Sequence, residues 1–126
     1  MHKSKLAGFI IDCQTDDVAA AADFWSQALG MEQQALPGDE GDKYVRLVDP
    51  NDALHIEVQS VSHPSRVHLD IEADDIEAEV KRLEALGAKR VAQIHSWWVM
   101  EAPTGHRFCV VRKSSAGFDS QANEWR

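Results

Sequence analysis

The feature that most constrains this chain is that it says the same thing twice. Phe9-Ile10-Ile11-Asp12-Cys13 leads to Asp16-Asp17 and then to a helical run ending in Ala28-Leu29-Gly30. Val67-His68-Leu69-Asp70-Ile71 leads to Asp74-Asp75 and a run ending in Ala85-Leu86-Gly87. Self-similarity at a fixed offset means one supersecondary unit built twice. In each copy a β-rich run ends at an Asp pair, and side-chain oxygens there satisfy the free amides of a helix N-terminus and suit its dipole. Val18, Ala21 or Ala22, Trp25, and Ala28 or Leu29 recur at helical spacing in the first copy, as Ile76, Val80, Leu83 and Leu86 do in the second. Phe24 and Trp25 read as core. Gly30 and Gly87 stand where a helix ends in a residue that accepts positive φ.

Beyond each glycine the pattern is strand-like again. Residues 31–36, 44–48 and 54–58 come after Gly30, and residues 89–94, 97–100 and 107–112 after Gly87, with turns at Asp49-Pro50-Asn51-Asp52 and Ala102-Pro103-Thr104-Gly105. Each copy is therefore β-α-β-β-β, over residues 6–59 and 66–112. A chain of 126 residues supports one ordinary core, so the expectation is a single domain over 1–112 and a tail over 113–126 of Ser, Ala and Gly character, in which Phe118 and Trp125 are the residues able to dock.

The net charge of −8 and the pI near 5.1 argue against nucleic acid and anionic membrane, which bind clustered Lys and Arg. Much of that charge reads as helix-start and exposed-helix carboxylate: Asp16, Asp17, Asp74, Asp75, Glu77 and Glu79. No apolar run approaches the ~20 residues of a bilayer span, and the strand pattern begins too early for a secretory signal. The expectation is a cytoplasmic protein. Cys13 and Cys109, far apart in apolar settings, read as buried reduced thiols.

Two βαβββ copies whose helices end in Leu-Gly resemble the vicinal oxygen chelate superfamily, which includes glyoxalase I, extradiol dioxygenases and bleomycin-resistance proteins. Arg66-Val67-His68-Leu69-Asp70 and Phe108-Cys109-Val110 are most similar to its glyoxalase-like domain branch. The resemblance implies an α+β fold with one cupped mixed sheet, a homodimer, and a divalent metal held from four positions on the first and last strands of each half. Carried over, those positions are Ile10, Glu57, His68 and Cys109. Ile10 donates nothing to a metal, so the expectation is a small-molecule-binding cup without the usual metal and without a cofactor. The alternative is an enzyme of lyase, isomerase or dioxygenase type using His68 and Glu57, with zinc on His68, Glu57 and Cys109 as the metal version, since a thiolate favours softer ions.

Around those positions Leu54, Ile56 and Val58 share one strand face, which puts His55 and Glu57 on the other. Trp97 and Trp98 are adjacent, so one packs under a helix and one faces the cup. Tyr44 is a further wall residue. His106, after Gly105 in a turn, reads as solvent-exposed.

Overall fold

In the computed structural model, which describes residues 1–126, the two Asp pairs do what their position predicts. Asp17 accepts from the Ala20 amide and Asp75 from the Ala78 amide, starting helices α1 (Val18–Leu29) and α2 (Ile76–Ala85). Gly30 ends α1 at φ +68°, a conformation in which a Cβ is strained. The chain forms two compact units, Gly8–Val67 and Met1–Ala7 with His68–Arg126.

In the first unit α1 is followed by β2 (Glu32–Ala35), a 3-10 turn (Gly38–Asp42), β3 (Tyr44–Val48) and β4 (His55–Val61). The order β2-β3-β4 is antiparallel, and β1 (His2–Gln14) adds parallel to β4 from Gly8 onward. Ile11, Ala22, Leu47, Ile56 and Val58 make the core, with Phe9, Val18 and Trp25 packed against it.

The second unit repeats the plan with β5 (Arg66–Ala73), α2, β6 (Lys89–Ile94), β7 (Trp97–Glu101) and β8 (Arg107–Arg112). Here β5 lies parallel to β8, and β8-β7-β6 is antiparallel. Its core is Ala73, Val80, Leu83, Met100 and Val110. Each fully buried aliphatic side chain stabilises by about 1.5–3 kcal/mol.

Several expectations are corrected. Phe24 is 62% exposed; it lies on the flank of α1, and only its edge meets Trp25 at 5.0 Å. Leu29 and Leu86, at the last turns, are exposed too. The first strand begins at His2 rather than Phe9. The stretch after residue 112 is not a plain tail: it forms α3 (Phe118–Gln121) and β9 (Asn123–Trp125), anchored by a buried Phe118 and by pairing of β9 with His2–Ser4. Glu79, read as an exposed carboxylate, is fully buried.

Candidate functional site

Strand alternation sorts the second unit's side chains. Ile71, Ala73, Phe108, Val110 and Trp98 turn toward the α2 core, so His68, Asp70, Arg107, Cys109 and Trp97 share the opposite face. Trp98 is thereby the helix-side tryptophan, with Arg90 over its ring at 5.0 Å. Trp97 is the one on the polar face, tilted against His95 at 5.4 Å.

Asp70 sits directly opposite Cys109 in the parallel β5–β8 ladder. Its Oδ1 is buried without a hydrogen bond, 3.5 Å from His68 Nε2, and the two side chains are only 15% and 11% exposed. His68, Asp70 and Cys109 bring one nitrogen, one oxygen and one sulfur within 4.8 Å of one another. A tetrahedral zinc with Zn–N near 2.0 Å and Zn–S near 2.3 Å needs donors about 3.3–3.6 Å apart; His68 and Asp70, at 3.5 Å, have that spacing, whereas the three donors together are gathered only to within 4.8 Å. Two residues further along, Glu72 is consumed structurally: it accepts from the Ser114 and Ser115 amides at 3.1 Å and from the Ser115 hydroxyl.

In the first unit Glu57 Oε2 meets His55 Nε2 at 2.5 Å. Ile10 is the ladder partner of Glu57, and Gln59 donates to the Tyr44 hydroxyl at 2.8 Å. Of the expected His68, Glu57 and Cys109, the structure gathers His68 and Cys109. Asp70 joins His68 and Cys109, while Glu57 belongs to the first unit and holds His55. Asp70 was the missed residue, although its place two positions after His68 on one strand face was a readable signal.

Both cysteines are free. Burial pushes the Cys13 thiol up, a hydrogen bond with Trp25 offsets part of this, and the Asp12 charge adds to it, so Cys13 is a poor thiolate nucleophile. Cys109 is buried and Cys13 partly so. His106 is exposed, its ring nitrogen 2.6 Å from the Thr104 hydroxyl.

Two βαβββ units with a polar sheet face carrying His, Asp and Cys define a protein of the vicinal oxygen chelate type. The glyoxalase-like domain model matches residues 8–111, and the chain belongs to that family. No curated protein matches it. Among solved structures it is similar to a hypothetical protein from Bacillus halodurans C-125, at TM-score 0.65 and 11% identity over 88% of this chain and 95% of that one. Methylmalonyl-CoA epimerase from Mycobacterium tuberculosis aligns at 0.60 and 16% over 86% and 87%. A Legionella pneumophila structure described as an NAD-dependent benzaldehyde dehydrogenase aligns at 0.58 and 9% over 84% and 99%. At these identities the likeness is one of fold, and such differently described neighbours select no reaction.

Proposed function

We propose that the protein binds a small organic molecule on the polar face of β5, β8 and β7, with His68 moving a proton to or from it and Trp97 offering a stacking surface. The observation that carries this reading is the buried Asp70 Oδ1, without a hydrogen bond, 3.5 Å from His68 Nε2. A carboxylate beside an imidazole on one sheltered strand face is an arrangement that serves general acid–base work. This chemistry selects no substrate.

The same three donors favour a second reading, in which His68, Asp70 and Cys109 hold zinc. Bound there, zinc supplies a Lewis acid and lowers the pKa of its water.

Thermal-shift screening of a small-molecule library tests the first reading. A ligand that raises the melting temperature of the wild type, but not of His68→Ala or Trp97→Ala, supports it; the absence of any such ligand sinks it. Elemental analysis of protein purified without chelator separates the two. Near-stoichiometric zinc that disappears in His68→Ala replaces the first reading with the second.

A further inference from the structure

Four arginines are partly buried: Arg46, Arg82, Arg90 and Arg107. Three are matched by carboxylates, Arg82 by Glu79, Arg90 by Glu77 and Glu84, and Arg107 by Glu101. Arg46 is not. Its Nε is buried with no hydrogen-bond partner, in a chain that carries 21 acidic residues. The carboxylate directly across the β3–β4 ladder, Glu57, is engaged by His55 instead. On its other side Arg46 faces Gln34, a neutral amide.

The position is part of a consistent surface. Val45 and Leu47 turn into the first unit's core, so Tyr44 and Arg46 look out from the opposite face. There the Tyr44–Gln59 hydrogen bond lies one ladder pair beyond Val45–Val58. A guanidinium taken partly out of water with an unmet donor is costly unless something satisfies it. Its planar fork matches a carboxylate or a phosphoryl group. We infer that Arg46 anchors an anionic group, carboxylate or phosphate, of a small molecule bound on the outward face of β3 and β4. All the groups involved lie within Gly8–Val67.

Arginine Nε–H resonances give a direct test in the intact protein. Malonate, inorganic phosphate and neutral malonamide are titrated separately, with the Arg46 signal assigned through Arg46→Lys. The expected result is a saturable shift of the Arg46 signal with malonate or phosphate, at a Kd in the millimolar range or tighter, and none with malonamide. A response to malonate alone assigns a carboxylate ligand, and one to phosphate alone a phosphoryl ligand. Arg46→Lys, followed through the backbone amides of Tyr44 and Gln59, binds the same anion about tenfold more weakly, because the fork is lost. No saturable shift with either anion overturns the inference, as does an equal shift with malonamide or with the exposed Arg112 and Arg126.

Discussion

Glu79 shows how one residue organises its surroundings. Fully buried on α2, its carboxylate accepts from His2 Nε2 at 2.8 Å, from the Ser4 hydroxyl at 2.7 Å, and from Arg82 at 2.8 and 2.9 Å. Burial pushes its pKa up, but the hydrogen bonds from Arg82, His2 and Ser4 outweigh that and hold it below the usual glutamate value. A carboxylate depressed in the folded state contributes stability that is fully present above its unfolded pKa and is lost as pH falls through its folded pKa. Glu79→Gln therefore costs about 2–4 kcal/mol near neutrality, and in urea titrations at several pH values the gap from wild type narrows as pH drops below about 4. A gap that stays constant down to about pH 2 would contradict the assignment. Nothing local hints at this burial, because Glu79 lies one position from the Ile76-Val80-Leu83 stripe and two of its partners come from the far end of the chain. Gly8 is a second local constraint: a Cβ there would lie 1.9 Å from the His55 carbonyl oxygen. Gly8→Ala is expected to lower stability by about 1–3 kcal/mol and to broaden the amide signals of Gly8 and His55, its partner in the ladder.

At the scale of elements, helices and central strands were readable because their signals are local. The two caps, the 3.6-residue apolar stripes and the alternation of residues 54–58 each depend on neighbours within a few positions. Asp17→Ala and Asp75→Ala should each lower stability by about 1 kcal/mol, measured by chemical denaturation, with equal losses expected from equivalent caps. Side-chain alternation also set His55 and Glu57 on the face away from Ile56 and Val58, as found. It left the choice between Trp97 and Trp98 open, because that depends on which face α2 covers. Of the α3–β9 segment only the docking residues Phe118 and Trp125 were legible: a run of Ser, Ala and Gly carries no periodicity, and its order comes from distant groups. Trp125 donates its indole N–H to the Ser4 hydroxyl at 2.8 Å and lies under the Arg82 guanidinium at 3.8 Å. Trp125→Ala is expected to speed hydrogen exchange at the β9-paired amides of His2 and Ser4, while amides of the β5–β8 ladder keep their protection. Equal loss in both places would mean that β9 unfolds only with the rest of its unit.

For the whole molecule, the internal repeat made the paired α+β architecture legible, but not the way the chain divides between the two units. The repeat left residues 1–5 outside both copies, whereas Met1–Ala7 groups with His68–Arg126. Polar contacts decide this, and polar contacts between residues more than 70 positions apart leave no trace in local periodicity. Lys3 donates its amide to Asp74 at 2.9 Å and its carbonyl accepts from the Asp74 amide at 3.2 Å, His2 and Ser4 hold Glu79, and His2–Ser4 pair with β9. Removing residues 1–5 takes away two hydrogen bonds to a buried carboxylate and the ladder partner of β9 together. The expected cost is about 3–5 kcal/mol, enough to lower the melting temperature sharply in a domain of ordinary stability. Hydrogen exchange shows where that cost falls: amides of α2 and β9 lose protection, while those of α1, β3 and β4, whose core is Ile11, Ala22, Leu47, Ile56 and Val58, retain theirs. Loss confined to α1 and β4 would instead mean that the opening residues support the first unit through β1, and the division at Ala7 would be wrong.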